Sequence, residues 1–318
     1  MFSTGSSENT SVPLRLGIDL GGTKIAAVVI DQAGAVVWET RRATPRDDYR
    51  GTVDAIGTIV SDAEKELGHH CTVGIGMPGA ISPATGLVKN ANSTWLIGQP
   101  LDVDLRLRLG RDVRLANDAN CLAVSEAADG AATGAPIVFG VILGTGTGGG
   151  LVAHGRVLTG ANAIAGEFGH NALPWPAAGE SPGPPCYCGR RGCIETFLSG
   201  PGLLADYQRR GGDAARAEDV MARAETGDAT AVASRDAWFS RLARALASVI
   251  NIVDPDVIVV GGGLSRIAAL YMVVPSIWGQ WVFSDQVATR LVPAQYGDAS
   301  GVRGAAWLWG APEPPAPA

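Results

Sequence analysis

The chain opens on short apolar runs broken by glycine. Leu16–Leu20, Ile25–Ile30 and Val36–Arg42 are separated by Gly21-Gly22 and by a turn containing Gly34, which predicts three strands joined by tight turns. The period then changes. Across Gly51–Leu67 the apolar positions Val53, Ile56, Ile59, Val60 and Leu67 have helical spacing. "CTVGIGMPG" predicts a strand running into a glycine- and proline-rich loop. "LANDANCLAVSEAADGAA" predicts a short strand turning into a helix, capped by Asn117 or Asp118. "PIVFGVILGTGTGGGLVAHGRVL" reads as strand, glycine turn, strand, and a loop-rich stretch extends from Asn162 to about Pro201. Ala229–Val253 places Phe239, Leu242, Leu246, Val249, Ile250 and Val253 on one face of a long helix that Pro255 stops. "DVIVVGGGL" predicts a buried strand closed by three glycines, Ile267–Val282 a helix, "TRLVPAQ" a strand and "GVRGAAWLWG" a closing helix.

Strands alternate with helices, so the fold class is α/β. Two strand–glycine–strand units, "IDLGGTKIAAVVI" and "VILGTGTGGGLVA", echo each other about 125 residues apart, which points to two domains on one plan. Length agrees: 318 residues, 46% of them apolar, are enough for two domains and a large core. The net charge of −6 gives no reason to expect nucleic acid or an anionic membrane as partner. No apolar run reaches the roughly 18–20 residues a membrane span needs. The start lacks the cationic and apolar segments of a secretory signal. The expectation is a cytoplasmic protein with frayed ends at 1–14 and 311–318. Five cysteines, an odd number, argue against a disulfide framework in that compartment, and Cys71 and Cys121 read as small buried hydrophobes.

The glycine turns carry the first candidate chemistry. Asp19-Leu20-Gly21-Gly22-Thr23-Lys24 lacks Walker spacing and precedes a strand, not a helix. Its glycines nevertheless admit an anion to backbone N–H groups, Thr23 and Lys24 add a hydroxyl and a cation, and Asp19 could hold a water of Mg²⁺. A plain hairpin turn with an exposed lysine explains the same residues. Gly144-Thr145-Gly146-Thr147-Gly148-Gly149 contains GxGxxG, with Glu167 near the distance of a dinucleotide acid. The next residues, "LVAHG", are strand-like where a dinucleotide fold needs a helix, so a second phosphate-binding hairpin is preferred. Gly261, Gly262 and Gly263 offer bare backbone on which an adenosine could rest, or simply turn a strand into a helix.

Cys186, Cys188 and Cys193 in "CYCGRRGCIE" supply three thiolates, and His170 in "GEFGH" a fourth N/S ligand, which completes a tetrahedral structural zinc site. One ion would tie two loop segments together and hold Glu167 and Glu195 near one place, where carboxylates accept hydrogen bonds from a polyol. All four coordination positions are protein, so the metal supports the pocket and does no catalysis. Asp118 is either a helix cap residue or the carboxylate that takes a hydroxyl proton, and two phosphate turns beside a polyol pocket favour the second.

"DLGGTK", "ANDAN", "GTGTGGG", "GEFGH" and "CYCGRRGCIE", in this order and spacing, resemble the ROK family of sugar kinases over nearly the whole chain, Leu16 to Trp309. The resemblance implies the two-domain actin-like ATPase (ribonuclease H-like) fold with its active site in an inter-domain cleft. It divides the chain into a small domain at 15–130, completed by a helix at about 301–310, and a large domain at 131–300 with a zinc loop at 166–196. It makes the two glycine hairpins the ATP phosphate motifs, Asp118 the catalytic base, and Asn92, Asn117, Asp118, Glu167, His170 and Glu195 the sugar site. His170 would give one ring nitrogen to zinc and turn the other to the sugar. "GIGMPGAISPATGLVKNANSTWLIGQPL" and "GVRGAAWLW" resemble the fructokinase/mannokinase branch. That branch implies ATP- and Mg²⁺-dependent phosphorylation of fructose, with mannose second, by a homodimer. Glucose or N-acetylglucosamine is the alternative within the family; a sugar-responsive regulator and a nicotinamide dehydrogenase are the alternatives outside it. Family repressors carry a DNA-binding module ahead of "DLGGTK", for which the residues before Asp19 leave no room.

Overall fold

Glycine-punctuated apolar runs become strands because each can bury a continuous face. In the computed structural model, which describes residues 14–310, β1 (Leu14–Leu20), β2 (Lys24–Ile30) and β3 (Val36–Ala43) form an antiparallel meander. Leu14, expected in the frayed start, opens β1 and pairs with Cys71. The rest of the expected frayed ends lies outside the described residues. Helix α1 (Tyr49–Leu67) is capped by Asp48, whose carboxylate accepts the Gly51 N–H, and stops at Gly68 in the left-handed region at φ 68°. Strand β4 (Cys71–Met77) runs parallel to β1. A small ribbon of β5 (Ala80–Ile81) and β6 (Val88–Lys89) comes next, then α2 (Leu101–Leu109), β7 (Val113–Asn117) and α3 (Asp118–Ala128). The first sheet has the order β3-β2-β1-β4-β7.

The second half repeats the plan. Strands β8 (Ile137–Leu143), β9 (Thr147–Ala153) and β10 (Arg156–Val157) form another antiparallel meander. After the cysteine-bearing loop come α4 (Glu195–Leu198), α5 (Gly200–Arg209), α6 (Ala217–Glu225), α7 (Ala229–Val253), β11 (Val257–Gly261), α8 (Leu270–Trp278), β12 (Arg290–Pro293) and α9 (Ser300–Trp307). The second sheet has the order β10-β9-β8-β11-β12, and β11 and β12 extend it in parallel. The echo seen in the two glycine hairpins is therefore an echo of whole sheets.

Three apolar cores hold this together. One lies between the first sheet, α1 and α2; one between the second sheet and α4 to α8; a third, between the sheets, is built from α3, α9 and strand residues such as Ile30, Val138 and Val259. Helix α3 leaves the first sheet and packs on β8 and β9, while α9 leaves the second sheet and packs on β1 and β4. The crossing is close. A Cβ on Gly17 of β1, Gly74 of β4 or Gly304 of α9 would collide with backbone, at Gly304 with the Cys121 carbonyl oxygen of α3. Polar groups lock the same crossing. Glu126 is fully buried and accepts hydrogen bonds from Ser300 Oγ (2.7 Å) and the Gln295 N–H (2.9 Å), and Arg303 pairs with Asp129.

Several elements differ from the sequence expectation. The helix expected over Ile267–Val282 is regular only over Leu270–Trp278, with Pro275 inside it. The 162–201 stretch is not wholly irregular, since it holds a 3₁₀ turn at Phe168–His170, α4 and the start of α5. Helix α2, "LDVDLRLRL", reads apolar at every second position, a strand-like period, so only its packing on the first core reveals it as a helix. No helix among the described residues is long and apolar enough to cross a membrane.

Candidate active site

Asn117 ends β7 and caps α3, its Oδ1 accepting the Asn120 N–H at 2.7 Å. That frees Asp118, the first helical residue, from capping. Its Oδ1 accepts only the adjacent Ala119 N–H (2.8 Å). Asp118 keeps part of its surface open to solvent yet lies deep among protein atoms, and this burial pushes its carboxyl above the ordinary range, against the pull of the Ala119 N–H. Asp19, at the end of β1, is also pushed up, to about 6, first by burial and then by the Asp118 charge, with Lys24 opposing. Asp19 thus lies within reach of the Asp118 charge and of Lys24, and carboxylates so placed are of the kind that could hold a divalent cation through water.

The first glycine turn is fixed by Gly21 N–H on the Lys24 carbonyl (3.0 Å) and by Thr44, whose Oγ1 donates to the Gly21 carbonyl at 2.7 Å. Gly22, Thr23 and Lys24 stay exposed. The second turn leads from β8 into antiparallel β9, which removes the dinucleotide reading of Gly144–Gly149. Here Glu195, the first residue of α4, accepts the Thr147 N–H on Oε2 at 3.0 Å, and the same oxygen would lie 2.8 Å from a Cβ on Gly146. Gly146 thus keeps the loop close to the glutamate, and Glu195 Oε1 makes no hydrogen bond among the described residues. Thr145 is exposed, and Gly144 accepts the Gly200 N–H at 2.8 Å. Gly261, at the end of β11, and Gly262 and Gly263 after it lie beside this turn. Gly261 is not bare, because the Leu122 side chain covers it; Gly262 is at φ 84° against the Leu143 carbonyl; only Gly263 has open space above it.

Glu167 is pushed up first by burial, then by Asp118 and Glu195, with His170 opposing most. These charges therefore share one locality, although the residues span α3, the loop and α4. Backbone bonds alone draw the two loop segments together: Leu173 N–H to the Gly192 carbonyl and Ile194 N–H to the Asn171 carbonyl, both 2.9 Å.

His170, Cys186, Cys188 and Cys193 bring their ligand atoms within 4.8 Å of one another. The Cys188–Cys193 Sγ separation and the Cys186 Sγ–His170 Nδ1 separation are both 3.6 Å. Zinc bonds of about 2.0–2.3 Å place tetrahedral corners roughly 3.5–3.8 Å apart, so the residues fit a structural Zn²⁺. All five cysteines are free, with Cys71 and Cys121 buried as expected. His170 Nε2, the nitrogen expected to face a sugar, lies 2.9 Å from the Tyr187 hydroxyl.

Two features were missed by the sequence reading. Glu180 is buried between Arg241 (Nε to Oε1, 2.7 Å) and Arg244 (Nη1 to Oε2, 2.7 Å) of α7, fastening the metal loop to the large core. Its burial acts to raise the carboxyl, but the two guanidiniums hold it down at about 2. Ser93 is buried and its Oγ would lie 3.4 Å from a Cβ on Gly22, placing the segment of Asn92 beside the first turn. Asn92 itself is exposed and its side chain makes no hydrogen bond among the described residues. An inter-domain cleft of about 980 Å³ runs from Asn117 along β7 to Arg114 and Trp309, faced by His154 and Arg156. It adjoins the carboxylate cluster without including Asp118, Glu167, His170 or Glu195.

The pattern of the ROK family matches residues 15–311. The chain belongs to the ROK family. Among its relatives, this ROK protein is 43% identical over 296 residues to an N-acetyl-D-glucosamine kinase of Escherichia coli O139:H28, covering 92% of this chain and 98% of that one. It is 43% identical over the same length to an N-acetyl-D-glucosamine kinase of Salmonella gallinarum, with the same coverage. Its structure resembles a ROK hexokinase from Thermus thermophilus with a TM-score of 0.82 at 30% identity, covering 93% of this chain and 97% of the other. It also resembles a ROK family glucokinase from Streptomyces griseus in complex with glucose and AMPPNP, with a TM-score of 0.73 at 30% identity, covering 93% and 98%. The two five-stranded sheets are thus those of the actin-like ATPase fold. The fructokinase branch drawn from "GVRGAAWLW" and its companion stretch is not supported by these relatives.

Proposed function

We propose that this ROK-family protein is an ATP-dependent kinase that phosphorylates N-acetyl-D-glucosamine at its 6-hydroxyl. The reading rests on the 43% identity to N-acetyl-D-glucosamine kinases over 92% of the chain. Fructose, expected from the branch resemblance, gives way to that observation. Asp118 accepts the proton of the 6-hydroxyl as the oxygen attacks the γ-phosphorus of ATP and ADP leaves. A base placed this way contributes about 10²–10⁴-fold. Its raised carboxyl suits a base working nearer neutrality than an ordinary aspartate. The glycine turns at 21–24 and 144–146 cradle phosphates with backbone N–H groups, Lys24 adds charge, and Gly263 leaves room for the adenosine side. Mg²⁺, when bound, neutralises phosphate charge, and Asp19 is the residue that would hold it through water. Glu167, Glu195 and His170 accept from and donate to the sugar hydroxyls, and Asn92 and Asn117 add amide groups to the same set. Zn²⁺, when bound, fixes His170 and the backbone on either side of it, and takes no part in the chemistry.

A panel of hexoses assayed for ADP release tests this. The largest kcat/KM is expected for N-acetylglucosamine; a larger value for fructose, mannose or glucose overturns the substrate assignment, and no ADP with any sugar overturns the kinase. Asp118→Ala should lower kcat by at least about 10²-fold while the sugar still binds.

A further inference from the structure

We propose that Tyr187 determines sugar affinity and selectivity by holding, on His170, the place of a sugar hydroxyl. The inference rests on the reading that the sugar sits against His170, Glu167 and Glu195.

His170 has two ring nitrogens and the structure accounts for both. Nδ1 faces the thiols, 3.6 Å from Cys186 Sγ. Nε2 then carries the ring proton and is the one position left for a ligand; it lies 2.9 Å from the Tyr187 hydroxyl. The phenol ring stands edge-on to the imidazole, with centroids 5.1 Å apart and planes at 86°. The hydroxyl oxygen accepts from Nε2–H as a sugar hydroxyl would, so the two compete for one hydrogen. The hydroxyl therefore sits on one of the groups expected to grip the sugar.

The side chain is built to leave. Tyr187 lies between the two ligands Cys186 and Cys188, and its backbone is held by a tight turn in which the Gly189 N–H meets the Cys186 carbonyl at 3.0 Å. Beyond that anchor the residue is 76% exposed, and its hydroxyl makes no other hydrogen bond among the described residues. One hydrogen bond of ordinary net worth is the whole barrier to displacement, roughly two- to ten-fold in affinity. A ligand that offers His170 a better partner overcomes it, and one that does not reach His170 never meets it. Selectivity arises from this difference.

The test uses the zinc-replete protein and titration calorimetry with N-acetylglucosamine, without nucleotide. Tyr187→Phe should tighten binding roughly two- to ten-fold, lower KM to match and leave kcat unchanged. Tyr187→Ala should act in the same direction, which separates loss of the hydroxyl from changes in ring packing. Among deoxy analogues of the sugar, the one lacking the hydroxyl that meets His170 should bind both forms equally. Unchanged or weaker binding in Tyr187→Phe overturns the inference and leaves the kinase reading intact. If the native protein binds none of the hexoses in the panel, the reading of the sugar site fails, and this inference with it.

Discussion

Two aspartates, Asp118 and Asp19, sit close together, and their surroundings set them apart. Asp118 is released from capping because Asn117 takes that duty. The motif "ANDAN" left either residue as the cap; the side-chain geometry, which depends on where β7 ends, settled it. Asp19 is held at about 6 by burial and by Asp118. Its folded value lies above the ordinary 3.8, so the folded protein binds the proton more tightly than the unfolded chain does. Its destabilising effect is absent below about pH 4, grows as pH rises and is complete above about 6. Asp19→Asn should therefore raise the Tm of the metal-free protein at pH 7.5 and leave it nearly unchanged at pH 4. The same variant should lose most turnover and any stabilisation by Mg²⁺. Thermal melts with and without Mg²⁺ at both pH values check this, and a lower Tm at pH 7.5 contradicts it.

At the scale of elements, the loop between Asn162 and Pro201 shows how a sequence can announce ligands and hide their support. The spacing of Cys186, Cys188 and Cys193 is legible because few other chemistries need it. Glu180 is not legible: one glutamate among prolines and glycines carries no periodicity, and its partners are sixty residues further on, in α7. The pair matters because the loop has little apolar surface of its own. Glu180→Gln leaves two buried arginines short of charge and should cost about 3 kcal/mol or more, read by urea denaturation. The native contribution is present above about pH 4.5 and is lost as pH falls through about 2, since the carboxyl is held down in the folded protein. A zinc ion in the His170, Cys186, Cys188 and Cys193 cluster would add a second fastening. Metal analysis should find one equivalent per chain. Its removal by a chelator should lower Tm and, on the proposed reading of the sugar site, raise the sugar KM more than it lowers kcat. Helix α9 gives the contrasting case. "GVRGAAWLW" reads as a helix at once, but only its crossing with α3 explains Gly304: Gly304→Ala should push the helices apart and lower Tm by several degrees.

The whole molecule is two copies of one sheet plan joined by α3 and α9, with the carboxylate cluster where the sheets face each other. Such a joint permits the sheets to close on two substrates and exclude water, a competing acceptor of the phosphoryl group. Small-angle scattering should show a smaller radius of gyration with sugar and a non-hydrolysable ATP analogue together than with neither; no contraction contradicts closure. The sequence by itself determined the α/β class, the paired glycine hairpins, the long helix α7 and the residues of the His/Cys cluster. Each of these rests on local rules: apolar period, turn chemistry, ligand spacing. It did not determine which residue caps α3, that Leu122 covers Gly261, that Glu180 is clamped by α7, or that Tyr187 occupies the free nitrogen of His170. Those depend on contacts made only once the chain has folded, most of them between residues far apart in it. A linear pattern carries no record of which distant side chain fills a given space once the sheets have packed.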